Sequence, residues 1–118
     1  MSVRRREVGG VTVLYVGGEY YGGDETDALR KTILDQAAAG NTRLILNLWE
    51  CGMMNSNALA VVVEAHRNYA SRGGEIILCG AERRMKSLLV VSRLYDLFRH
   101  YETEAEAVAA FTESPAGA

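Results

Sequence analysis

The feature that most constrains this chain is an alternating run, Arg43 to Leu48, followed after a short connection by an apolar stripe at helical spacing. Leu44, Leu46 and Leu48 share one face of the run, which predicts a buried strand, and the segment Leu59 to Ala70 predicts a helix. Between them stand Asn55, Ser56, Asn57 and Ala58, small residues of the kind that satisfy the free N–H groups of a helix's first turn. A strand, a loop and a helix start therefore meet at this junction, where any recognition or chemistry is expected.

The flanking segments supply the rest of a sheet. Val3 to Val8 and Val11 to Val16, separated by Gly9-Gly10, predict a β-hairpin, because glycine supplies the positive φ that a two-residue turn requires. Arg4, Arg5 and Arg6 fall on the outer strand, where charge discourages edge-to-edge aggregation. Gly17-Gly18 and Gly22-Gly23 bracket Glu19, Tyr20 and Tyr21 without forming a phosphate-binding fingerprint, and predict a flexible connection. A helix follows over about Asp24 to Ala39, with Ala28, Leu29, Ile33 and Ala37 inward, Asp24 as N-cap, Asp27 and Lys31 paired, and Gly40 at C′.

In the second helix Leu59, Val62, Val63, His66 and Ala70 mark one face, opposite Glu64, Arg67 and Asn68, and Gly73-Gly74 closes it. Glu75 to Gly80 is nearly continuous in apolar residues, as a strand covered on both faces requires. A third helix over about Glu82 to Arg93 carries Arg83, Arg84 and Lys86 in its first turn, where cations oppose the helix dipole. Leu97 to Tyr101 predicts a short last strand. Thr103 with Glu106 has the form of a capping box opening a helix to Phe111, and residues 113–118 are expected to be a flexible tail to a domain of residues 1–112.

The predicted order is β-β-α-β-α-β-α-β-α, one α/β domain with a mixed, mostly parallel sheet of about five strands and about four helices. Its 118 residues, 48% hydrophobic and 24% charged with a net charge of −2, suit a globular domain that needs neither metal nor disulfide, and give no case for nucleic-acid binding. Neither a membrane span nor a signal-peptide core is legible, so a cytoplasmic protein is expected. Cys51 and Cys79 lack metal or redox spacing and are expected as buried free thiols. His66 has no carboxylate or thiol companion and is expected to pack. With no catalytic set, metal cluster or phosphate loop in view, neither a cofactor nor a catalytic residue is assigned, and recognition is preferred to catalysis.

The order and spacing of these segments resemble the STAS domain, the family of bacterial anti-sigma factor antagonists, from Val11 to Phe111. The family's L-D-L, apolar pair, D-S-S-G and L-G-x-L frame corresponds here to Leu46-Asn47-Leu48, Met53-Met54, Asn55-Ser56-Asn57-Ala58 and Leu59-Ala60-Val61-Val62. Gly73-Gly74 before Ile76-Ile77-Leu78, and Leu94 to Phe98 before a Glu/Ala-rich helix, also fit.

In that family the second Ser of the frame is phosphorylated by a partner that is both anti-sigma factor and kinase. The resemblance therefore implies a non-catalytic protein-binding regulator, docking such a partner through Met54, Asn55, Ser56, Asn57 and Ala58, with Tyr21, Arg83 and Arg84 nearby. It also implies that the switch is degenerate. The acceptor position is Asn57, the preceding Asp is Asn55, and Tyr21 replaces the Asp of the first loop, leaving Ser56 as a weak acceptor. A stressosome scaffold or lipid-transporter accessory role lies within the family's range, homo-oligomerisation is left open, and a small nucleotide-binding enzyme is the alternative from another class.

Overall fold

The computed structural model describes residues 2–113, and the expected tail beyond Glu113 lies outside them. Strands β1 (Ser2–Val8) and β2 (Val11–Tyr20) form the hairpin, turning through Gly9 and Gly10 at φ 55° and 83°. There follow α1 (Asp24–Ala38), β3 (Arg43–Asn47), β4 (Cys51–Met54), α2 (Ser56–Ser71), β5 (Glu75–Cys79), α3 (Arg83–Val91), a 3₁₀ turn at Leu94–Asp96, β6 (His100–Tyr101) and α4 (Glu104–Glu113). The sheet runs β1-β2-β3-β5-β6, with only β1 antiparallel to its neighbour.

After the hairpin, strands are added in one direction, and crossovers of one hand then place successive helices on the same face. Accordingly Leu29 and Ile33 of α1, Val62 and Tyr69 of α2, and Met85 and Leu89 of α3 share one cluster with Leu44 and Leu46. The opposite face is covered by α4, whose Ala107 and Phe111 pack on Val11, Val13, Ile45 and Ile77. Strands β3 and β5 are thus apolar on both sides, as predicted for Glu75 to Gly80. Cys51 and Cys79 are buried free thiols, and burial pushes them up to about 11 and about 12.

Several local expectations are corrected. Gly17-Gly18 is not a connection but the middle of β2. Strand β2 pairs with β3 only over Thr12–Tyr15 and pairs with β4 from Gly18, at φ 102°, to Tyr20, with an irregularity between Gly18 and Glu19; β4 is a sixth strand whose Cys-Gly-Met-Met carries no strand pattern. The N-cap of α1 is Gly23 rather than Asp24; the acids Asp24, Glu25 and Asp27 occupy the first turn, where the dipole favours them. Lys31 pairs with Asp35 at 2.7 Å instead of Asp27, and Ala28 is exposed while Thr26 is buried.

The inward stripe of α2 is Ala58, Val62, Ala65 and Tyr69. Leu59, Val63 and His66 flank it, Ala70 faces out, and His66 meets Phe98 edge-on at 5.0 Å. The last strand is shorter than Leu97 to Tyr101, because Leu94 and Phe98 enter the core through the 3₁₀ turn and leave Leu97 exposed.

Three other helix ends were legible. The Thr103–Glu106 capping box is present, with Thr103 N–H donating to Glu106 Oε1 at 3.0 Å and Glu106 N–H to Thr103 Oγ1 at 3.2 Å. Both α1 and α2 close with paired back-bonds, Gly40 N–H to Ala37 O and Asn41 N–H to Gln36 O, then Gly73 N–H to Ala70 O and Gly74 N–H to Tyr69 O.

The two glycines ending α2 do different work. Gly73 sits at φ 75° with open space around it, whereas a Cβ on Gly74 would collide with the Thr42 main chain. Gly73→Ala should cost about 1 kcal/mol, the penalty of a left-handed conformation. Gly74→Ala, which must displace backbone, should cost about 3 kcal/mol. Urea unfolding of both variants checks this, and equal or reversed costs would contradict the close approach.

Candidate functional site

The site grows from the crossing of β2 and β4. Main-chain bonding carries Asn55 to the end of β2, its N–H donating to Tyr20 O at 2.9 Å, and its extended backbone (φ −82°, ψ −177°) makes it the N-cap of α2. The side chain then acts at both ends. Asn55 Oδ1 accepts the Ala58 N–H at 3.1 Å, and Nδ2 donates to Tyr21 O at 2.7 Å. An aspartate would cap the helix equally well but has no proton for the Tyr21 carbonyl. The amide at this position therefore ties the β2–α1 loop to the start of α2.

Gly22 completes the contact. At φ 86° it donates its N–H to Thr26 Oγ1 at 2.9 Å, and a Cβ there would stand 3.2 Å from Asn57 Nδ2. Only a bare backbone lets the Asn57 amide lie so close. Ser56 and Asn57 are exposed, whereas Met54 and Ala58 are buried. These last two, predicted as contact residues, are corrected to the floor of the site: Met54 is an inward position of β4, and Ala58 opens the inward stripe of α2.

Tyr21 is exposed, and its hydroxyl donates to Glu19 Oε1 at 3.0 Å. That hydrogen bond raises its pKa above the ordinary phenol value. Arg83 and Arg84 are exposed in the first turn of α3 and make no ion pair among the described residues. Lys86 is engaged, 2.9 Å from Glu102. Ahead of the helix, the Ala81 N–H donates to His100 Nε2 at 3.3 Å, and burial lowers the His100 pKa. The β2–α1 loop, the Asn55–Asn57 junction and the first turn of α3 follow the C-terminal ends of β2, β4 and β5, the edge where open α/β sheets bind ligands.

One exposed residue was missed from sequence. Trp49, 64% exposed, stands in the turn between β3 and β4. Its only sequence signal was a bulky aromatic outside the alternation. No group of His, Cys, Asp or Glu suited to a metal occurs among the described residues, and no helix there is long and apolar enough to cross a membrane.

This fold has known counterparts. A Thermotoga maritima protein proposed as an anti-sigma factor antagonist superposes with TM-score 0.83 at 20% identity, over 92% of both chains. An anti-sigma factor antagonist from Mycobacterium paratuberculosis gives 0.81 at 19% identity, again over 92% of both. The Bacillus cell fate determinant SpoIIAA in its phosphorylated form gives 0.71 at 22%, over 92% of this chain and 98% of that one. At such identities the likeness defines a fold, a mixed α/β domain of the SpoIIAA type. The sequence itself matches the family model of the STAS domain over residues 2–107, and the chain belongs to that family.

Asn55→Ala removes the cap and the tie to Tyr21 together and should cost about 2 kcal/mol. Asn55→Asp should recover the cap but not the tie, leaving faster amide exchange at Gly22 than in the parent. Chemical denaturation and hydrogen exchange check this pair. An Asn55→Asp variant as protected at Gly22 as the parent would contradict the bridge.

Proposed function

We propose that this STAS domain is a non-catalytic regulator of the anti-sigma factor antagonist type, acting in the cytoplasm, which docks an anti-sigma factor or related serine-kinase-like protein through Tyr21, Ser56, Asn57 and the first turn of α3. The observation that carries the reading is the Asn55 bridge. It fixes two loops beside each other and leaves Ser56 and Asn57 exposed on a preset surface. A surface already ordered avoids the entropy that a mobile loop would lose on binding. Arg83 and Arg84 add unpaired positive charge at the same sheet edge, suited to steering an acidic partner surface.

The same residues argue for a switch that phosphate does not set. At the usual acceptor position Asn57 offers an amide, which has no nucleophilic oxygen. Binding would then be controlled by the amount of protein or by its partner. Incubated with the cognate kinase and ATP, the protein should take up no phosphate at position 57 and little or none at Ser56, and intact mass checks this. Stoichiometric phosphate on Ser56 would overturn it.

A second outcome separates binding from folding. Asn57→Asp adds a negative charge at the N-terminus of α2, where the dipole favours it, so stability should hold or rise slightly. On docking the carboxylate must be desolvated, at a cost of about 1 to 3 kcal/mol unless the partner supplies a cation, and affinity should fall about tenfold to a hundredfold. Thermal denaturation with calorimetric titration reads both. Undiminished affinity would place the interface elsewhere.

A further inference from the structure

Trp49 is the chain's single tryptophan, and its exposure is built rather than incidental. Its N–H donates to Asn47 Oδ1 at 2.9 Å, while Asn47 Nδ2 donates to Glu104 Oε1 at 3.1 Å. The other oxygen of Glu104 receives Arg6 at 3.2 Å. Gly80, at φ 74°, leaves room for the turn: a Cβ there would stand 3.3 Å from Asn47 Oδ1 and 3.5 Å from Trp49 Cβ. Groups from β1, β3 and α4 thus hold the backbone that projects this ring toward solvent.

The ring borders an open groove of about 510 Å³, whose other wall is the first turn of α3, with Glu82, Arg83, Arg84 and Met85. Two cations at the positive end of a helix, without ion-pair partners among the described residues, stand against the local field. A carboxylate reaching them relieves both the dipole and the mutual repulsion, and guanidinium groups take carboxylates in bidentate geometry. Glu50 and Glu82 line the same groove and balance the two arginines in number, but Glu50 is engaged by Arg4 at 3.7 Å, whereas Arg83 and Arg84 make no ion pair among the described residues. An aromatic anchor facing arginines is the composition of interface hot spots.

We propose that this groove takes an acidic segment of the protein partner, its carboxylates on Arg83 and Arg84 and an apolar side chain against Trp49. The inference rests on the protein-docking reading above and deepens it, giving the first turn of α3 a ligand chemistry and adding Trp49 to the contact.

The ring reports on the test directly, because all tryptophan emission comes from Trp49. An acetylated nonapeptide of Glu-Glu-Leu repeats should shift that emission saturably, with an affinity that weakens as salt is raised. The Arg83→Gln/Arg84→Gln variant, shown folded by its thermal transition, should bind about tenfold more weakly. A Lys-Lys-Leu peptide should leave the emission unchanged. Peptide binding reads the groove alone, and the Asn57→Asp titration against the native partner reads the Ser56–Asn57 surface, so failure of the one is told apart from failure of the other. The proposal is overturned by an unshifted emission at saturating peptide or by an equal response to the lysine peptide. It is also overturned if ATP shifts the emission equally, which makes the groove a phosphate site, or if protein concentration alone does so, which makes it a self-association surface.

Discussion

One side-chain amide holds the functional edge of this domain together. Asn55 both donates and accepts, and the two bonds point to segments far apart in the chain: the Ala58 N–H of its own helix and the Tyr21 carbonyl 34 residues earlier. An ionised carboxylate makes only the accepting bond. The bridge joins a helix N-terminus and a loop into one surface. Its price is a position intolerant of change, since either bond broken leaves a main-chain group without its partner.

The sheet delivers Asn55 to that place. Strand β2 is long enough to pair with β3 over Thr12–Tyr15 and then with β4 over Gly18–Tyr20, the second pairing containing an irregularity between Gly18 and Glu19. The second pairing brings the end of β2 beside the start of α2. Because α1, α2 and α3 all lie on one face, the first turns of α2 and α3 emerge at the same edge, while α4 packs behind and anchors the Trp49 turn through Glu104. Burial of both faces of β3 and β5 makes that framework rigid beneath short connections.

What was legible in the sequence was what neighbours decide. The glycine hairpin, the glycine-closed helices, the Thr103 capping box and the two-sided strand at Ile76 to Leu78 each follow from a few adjacent residues. The α2 junction was legible too, as small polar residues before an apolar stripe. Long-range partners were not. Strand β4 exists because β2 offers it an edge, and Lys31 had two acids at equal spacing, Asp27 and Asp35. Met54 and Ala58 sat in a motif assigned to the surface, yet their strand and helix periods turn them inward. The loss of an acid at position 55 was visible in sequence; what the amide does there was not, because its second partner is Tyr21.

The central claim is that partner recognition centres on the edge assembled by Asn55. Backbone amide shifts of the isotope-labelled domain, followed as unlabelled native partner is added, test it most directly. The account predicts that the largest changes fall on Tyr21, Gly22, Ser56, Asn57 and Arg84, with α4 and the outer edge of β1 unaffected. Changes confined to α4 and β1 would contradict it.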